Sequence, residues 1–88
     1  MNTLYIGMND KDAHMQLHPQ EFFIQAIAAE MDCTIQPCIG VYKREVENSL
    51  KVENFDKTHA ECVAIARRLC VILNQESIIV NGEFIKAA

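Results

Sequence analysis

The stretch THAECVAIARRLCVILNQESIIVNGEFIK, residues 58–86, decides the fold. Its start fits a capping box, in which Thr58 accepts from a backbone N–H of the first helical turn and Glu61 reaches back to the cap. Apolar residues then recur at steps of three and four, which predicts an amphipathic helix: Cys62, Ile65, Ala66, Leu69, Ile72 and Leu73. A β-branched run at 76–80 and the Asn81-Gly82 pair predict a strand, a two-residue hairpin turn and a last strand at 83–86.

The segment before this helix alternates between apolar and polar residues, as a half-buried strand does. Over 45–53, Val46, Leu50 and Val52 are predicted to pack, and the other set faces water: Glu45, Glu47, Ser49, Lys51 and Glu53. Asn48 shares the apolar side, so we expect it near the sheet margin or bonded to buried partners. A preceding strand at 34–43 contains Pro37, which lacks a ladder donor and therefore predicts an edge or a bulge.

The first third of the chain predicts one strand and one helix. Residues 3–8 alternate as a strand does, 9–12 form a polar turn, and His18-Pro19 predicts the start of a helix that runs to Met31. The apolar residues of this helix cover more than one stripe, so we expect a further surface, such as a partner chain, to cover part of them: Phe22, Phe23, Ile24, Ala26, Ile27 and Met31.

The element order is therefore βαββαββ, which matches an α+β, ferredoxin-like split βαβ sandwich with an antiparallel sheet and both helices on one face. Right-handed crossovers place the first strand beside the third at the centre, the second strand at one edge and the last hairpin at the other. The opposite face of the sheet stays open. On it we expect Thr3, Tyr5, Cys38, Tyr42, Glu47, Ser49, Lys51 and Ile79.

Composition limits the classes of protein that the chain can belong to. Its 88 residues, 50% hydrophobic and 23% charged, predict one globular domain across 1–88. The net charge of −4 disfavours nucleic acid as a partner. We find no apolar run of membrane-span length and no signal-peptide pattern, so we expect a cytoplasmic protein with reduced thiols and no membrane contact.

No pattern of catalytic or cofactor-binding residues is recognisable. The cysteine spacings, Cys33 to Cys38 and Cys62 to Cys70, are not those of zinc sites, although His59 lies three residues before Cys62 and His14 and His18 are four apart. No Ser or Cys lies in a strand-turn-helix context typical of a nucleophile.

The charged side chains also show no pattern of a functional site. The carboxylates of Glu47, Glu53, Asp10 and Asp12 are interpreted as solvated charges, as are the pairs Lys43-Arg44 and Arg67-Arg68. We therefore expect no enzyme and no cofactor. RNA binding is disfavoured because only Tyr5, with Lys51 nearby, offers an aromatic on a central strand.

Two segments, GVYKREVENSLKVEN and LNQESIIVNGEFIK, resemble a pattern in small proteins encoded by phages and prophages. In that pattern a strand with Gly, Tyr and Glu-x-Ser is followed by a helix that ends in Gln-Glu-Ser. The residues that match are Gly40, Tyr42, Glu47, Ser49, Gln75, Glu76 and Ser77. The resemblance covers the C-terminal half and implies an accessory protein of a mobile element, many of which bind and inhibit a host protein, anti-CRISPR and other anti-defence proteins included.

Our first hypothesis is thus a non-enzymatic module that binds and inhibits a host protein, with a homodimer also possible through an open sheet edge. The residues that we expect at the contact are Tyr5, Tyr42, Lys43, Arg44, Glu47, Ser49 and Lys51. One alternative is a small enzyme or ligand-binding dimer with its site at the subunit interface. Another is a metal-binding regulator that uses Cys33, Cys38, His59 or Cys62.

Overall fold

The structure, a computed structural model, describes residues 1–8 and 19–87. It contains five strands and two helices in the predicted order, and their bounds follow: β1 Asn2–Gly7, α1 Pro19–Ala28, β2 Thr34–Tyr42, β3 Glu45–Asn54, α2 His59–Ile72, β4 Ser77–Val80 and β5 Glu83–Lys86. The predicted turn at 9–12 and the candidate ligands His14 and His18 lie outside the described residues.

The strands form one antiparallel sheet in the order β2-β3-β1-β4-β5. β1 is central, β2 lies at one edge and the β4-β5 hairpin at the other, as the crossover rule predicts. The α+β, ferredoxin-like split βαβ arrangement is therefore confirmed.

The core lies between the sheet and the two helices. Every second residue of β1 and β3 points into it, because successive strand side chains alternate between the faces of a sheet. Leu4, Ile6, Leu50 and Val52 are completely buried there, together with Ile27 of α1 and Leu69 of α2. The helices thus cover one face of the sheet, and within residues 1–8 and 19–87 no helix or strand covers the reverse face.

Helix α2 begins as the sequence predicts. The Thr58 hydroxyl accepts from the Glu61 N–H at 3.1 Å, and the Glu61 carboxylate accepts from the Thr58 N–H at 2.8 Å. Both bonds of the capping box are present. The predicted apolar stripe is wrong at Ile72, which is 48% exposed in the last turn of the helix.

Helix α1 is shorter than predicted. It ends at Ala28 rather than Met31, because the Glu30 N–H turns to the Ile27 carbonyl three residues back, at 2.9 Å, and tightens the chain there. Met31 is nevertheless buried. Phe22 is 54% exposed, so part of the wide apolar surface of this helix has no cover within the part of the chain that the structure describes.

The β2-β3 hairpin extends past the core. Val46 is 70% exposed, so the prediction that it packs with Leu50 and Val52 is wrong. Alternation gives the side of the sheet on which Val46 lies but not how far the helices reach along it. Val46 lies opposite Val41, and Ile39 lies opposite Asn48, which is also exposed and thus at the sheet margin. We call Ile39, Val41 and Val46 the hairpin patch.

Asn81 joins the last hairpin to the first strand. Its Oδ1 accepts from the Thr3 N–H at 2.8 Å, and its own N–H donates to the Thr3 carbonyl at 2.8 Å. Its Nδ2 donates to the Asn2 Oδ1 at 2.9 Å. The β4-β5 turn is thus bonded to the start of β1 by both backbone and side chain.

Among the described residues, no helix is long and apolar enough to cross a bilayer.

Candidate functional site

The open face of the sheet carries a group of small and polar residues on the neighbouring strands β1, β2 and β3. Gly7 of β1 lies opposite Ser49 of β3, and Gly40 of β2 lies opposite Glu47 of β3. Residues that lie opposite each other on antiparallel strands share a face. Gly7, Gly40, Glu47 and Ser49 therefore form one group, which we call the glycine-flanked site.

The Glu47 carboxylate lies directly against the backbone of Gly7. A Cβ added at Gly7 would overlap Oε1 of Glu47 and would lie 2.7 Å from its Cδ. The sequence pattern predicted a solvated Glu47, and this prediction is wrong, because the side chain is half-buried. Within residues 1–8 and 19–87, no hydrogen bond or ion pair reaches this carboxylate. Among the described residues, therefore, no group uses the hydrogen-bonding capacity of its two oxygens.

Ser49 forms the floor of the site. Its side chain is 8% exposed, and its hydroxyl donates to the Glu47 carbonyl at 3.4 Å. A Cβ at Gly40 would lie 3.1 Å from the Ser49 Oγ, so glycine keeps the space on this side open as well. Two of the chain's three glycines therefore flank the same pair of β3 side chains.

One step further along the face lie an aromatic and a cationic side chain. Tyr5 is 40% exposed and lies opposite Lys51 on β3 and Ile79 on β4. Tyr5 and Gly7 are two residues apart on one strand, so the ring and the Glu47 carboxylate are on the same face. Carboxylates and aromatic rings both attract cations. This combination favours a ligand that carries a positive charge beside an apolar or planar part.

Some of the predicted contact residues lie on the open face, and the others lie at the turn between β2 and β3. The structure brings Tyr5, Glu47, Ser49 and Lys51 together on the open face. Lys43 and Arg44 instead form the β2-β3 turn, with φ of 51° and 66°. Tyr42 lies at the end of β2, opposite Glu45.

Sequence reasoning missed Gly7 and Gly40 as parts of a site. The available signal was a glycine inside each of two predicted strands, which is unfavourable for a strand and typical of a close approach by another group. The pairing register needed to identify that group is not readable from single strands.

The metal alternative receives little support from the geometry. Among the described residues, no three His, Cys, Asp or Glu side chains are close enough together to hold an ion. All four cysteines are free thiols. His59 Nδ1 lies 3.0 Å from the Asn81 Nδ2.

Three of the thiols, of the buried Cys62 and Cys70 and the half-buried Cys33, are also poor nucleophiles. Burial raises the pKa of the Cys33, Cys62 and Cys70 thiols above the ordinary value, and the charge of Asp32 adds to the rise at Cys33. A thiol with a raised pKa stays protonated at neutral pH, and the thiolate is the reactive form.

No family model matches the chain, and no curated protein matches it either. The chain is similar to a solved structure described as a phage SAM lyase in the apo state, with a TM-score of 0.66. The similarity covers 94% of this chain and 81% of that chain at 20% sequence identity. At this level of identity the similarity shows a shared fold, which here extends over nearly the whole chain.

Proposed function

We propose that this chain is a phage protein that binds S-adenosylmethionine (SAM) and cleaves it at the glycine-flanked site. The observation that carries the proposal is the half-buried Glu47 carboxylate, which lies against Gly7 at the end of β1, in a fold that a phage SAM lyase shares. A phage origin is supported from a second direction by the sequence resemblance to phage and prophage accessory proteins. Glu47 and Ser49 belong both to that resemblance and to the site.

The chemistry of SAM suits this face. SAM is a sulfonium cation that also carries an ammonium group and a planar adenine. A carboxylate favours the two cationic groups, and an exposed aromatic side chain such as Tyr5 favours cations and flat rings. Lys51, opposite Tyr5, offers a positive charge for the SAM carboxylate. The open face thus provides a complementary group for each part of this ligand.

Cleavage by a lyase requires no added water. One carbon–sulfur bond breaks and its electron pair stays on sulfur, which becomes a neutral thioether. The carbon fragment then forms a bond within itself or gives up a proton. Glu47 has two roles compatible with this reaction: it holds the cationic substrate, and it accepts the proton where one is released.

The test is to incubate the purified protein with SAM and to follow SAM and its adenosine-containing product by liquid chromatography and mass spectrometry. We expect Glu47→Gln, which keeps the size of the side chain and removes its charge, to lower kcat/KM about 10- to 100-fold, the effect of losing one hydrogen bond to a charged group. Glu83→Gln makes the same change on β5, at the sheet edge, and should leave kcat/KM unchanged. SAM that is neither bound nor consumed by the unmodified protein would refute the proposal.

The second candidate is the non-enzymatic protein-binding module. The hairpin patch favours it, because three exposed aliphatic side chains on one face, 70% to 71% accessible, offer an apolar contact surface. A phage protein with this function would inhibit a host protein by covering it, without consuming a small molecule.

A further inference from the structure

The glycine at position 7 has no evident backbone purpose. Among the described glycines, Gly82 is the one with a positive φ, and Gly7 lies in the extended backbone of β1, which any residue adopts. Glycine is depleted in strands because it has no side chain to pack and loses more conformational freedom on folding. Its presence here calls for a reason outside the backbone.

The carboxylate of Glu47 occupies the space that a side chain at position 7 would need. An ideal Cβ at Gly7 would overlap Glu47 Oε1 and would lie 2.7 Å from Cδ and 3.1 Å from Oε2. All three of its nearest neighbours belong to the end of one flexible side chain, and none is a backbone atom. A larger residue at this position would therefore move the carboxylate and leave the sheet in place.

We propose that Gly7 is a positioning residue, which sets the place of the Glu47 carboxylate by leaving the space over the end of β1 empty. The inference rests on the proposed function for its catalytic consequence, because the carboxylate is the group that meets the cationic substrate. A displacement of about 1 Å at a reacting group costs on the order of 100-fold in rate. Gly7 thereby controls the site without touching the substrate itself.

The first experiment measures the side-chain carboxyl ¹³C chemical shift of Glu47 without any substrate. Gly7→Ala should change this shift clearly, with an unchanged or slightly raised Tm. Gly40→Ala is the matched comparison, because its Cβ would meet the Ser49 hydroxyl and the nearest Glu47 atom would be the backbone carbonyl at 3.9 Å. A Glu47 signal that moves no more in Gly7→Ala than in Gly40→Ala, or a Tm that falls by several degrees in Gly7→Ala, would overturn the inference.

The second experiment is a double-mutant cycle on SAM cleavage. Gly7→Ala should lower kcat/KM about 100-fold. Glu47→Asp shortens the side chain by one methylene and makes room for the added methyl group, so Gly7→Ala should cost much less in the Glu47→Asp background. Equal costs in both backgrounds would mean that Gly7 acts independently of Glu47, and would overturn the inference.

The two proposals fail in different ways. If the unmodified protein ignores SAM while the Glu47 signal still responds specifically to Gly7→Ala, the lyase proposal is wrong and the positioning role of Gly7 stands. If SAM is cleaved, and Gly7→Ala has the same kcat/KM and the same Glu47 chemical shift as the unmodified protein, the positioning role is wrong and the lyase proposal stands.

Discussion

Glu61 shows how a single carboxylate contributes to the fold rather than to a ligand site. The Thr58 N–H donates to it at 2.8 Å, and this bond lowers the pKa of Glu61 below its ordinary value of 4.5. The charged form is therefore preferred in the folded chain. Glu61 has its partner within the capping box, whereas the Glu47 carboxylate has none in the described part of the chain.

A pH dependence follows from this bond. Because the folded-state pKa is lowered, the stabilisation is present above the ordinary value of 4.5 and is lost as the pH falls through the folded value. We expect Glu61→Gln to lower the free energy of unfolding at neutral pH, and the difference from the unmodified protein to vanish in acid. Urea denaturation at several pH values measures it. Glu83→Gln controls for the loss of one negative charge, and an equal pH effect there would contradict the assignment to the capping box.

At the scale of the elements, the two hairpin turns have the same backbone conformation but different residues. Both have two central residues with positive φ, Lys43-Arg44 in the β2-β3 turn and Asn81-Gly82 in the β4-β5 turn. Asn and Gly suit such a turn, since they enter the left-handed region at little cost. Lys and Arg do not, so the β2-β3 turn holds backbone strain that the β4-β5 turn avoids.

We expect Arg44→Gly to stabilise the protein by about 1 kcal/mol, since the left-handed conformation costs a side-chain-bearing residue about that much. For a domain of this size this corresponds to a rise in Tm of about 4–8 °C. Thermal unfolding followed by circular dichroism measures it. Gly82→Ala is the converse variant and should lower Tm, because its φ is 86° and an added Cβ would meet no atom within 4 Å, so that backbone strain alone acts. A lower Tm for Arg44→Gly would contradict the strain interpretation.

The element order and the sheet order were predictable because each depends on local patterns. Thr58 and Glu61 determine the start of α2, Asn81-Gly82 the last turn, and the crossover rule the central place of β1. The site was less accessible to prediction. Glu47 was correctly placed on the open face, but its contact with Gly7 joins residues 40 positions apart in the chain, and no single-strand pattern contains that information.

At the scale of the whole molecule, the hairpin patch distinguishes the two candidate functions. Ile39, Val41 and Val46 are on the helix side of the sheet, whereas Glu47 is on the open side, so one surface can be altered without the other. A protein-binding module depends on the patch, and a lyase depends on Glu47.

We expect Val46→Lys to change the free energy of unfolding by less than about 0.5 kcal/mol, as is usual at exposed positions. Val52→Lys is the matched variant on the same strand and should unfold the protein, because Val52 is completely buried. Affinity purification from the natural host, with mass spectrometry, compares the unmodified protein with Val46→Lys, and sedimentation tests for a homodimer. A host protein recovered with the unmodified chain and lost with Val46→Lys would favour the second candidate; recovery unaffected by Val46→Lys would argue against the patch as its contact.

The bonds of Asn81 to Thr3 and Asn2 have a consequence for how the molecule opens. They connect the start of β1 to the turn of the last hairpin, although these parts are at opposite ends of the chain. The β4-β5 hairpin therefore does not unfold by itself, since its separation from the sheet also breaks the bonds to the first strand. Transient opening on this side of the sheet involves both chain ends together, and amide hydrogens of both should exchange with solvent as one cooperative unit.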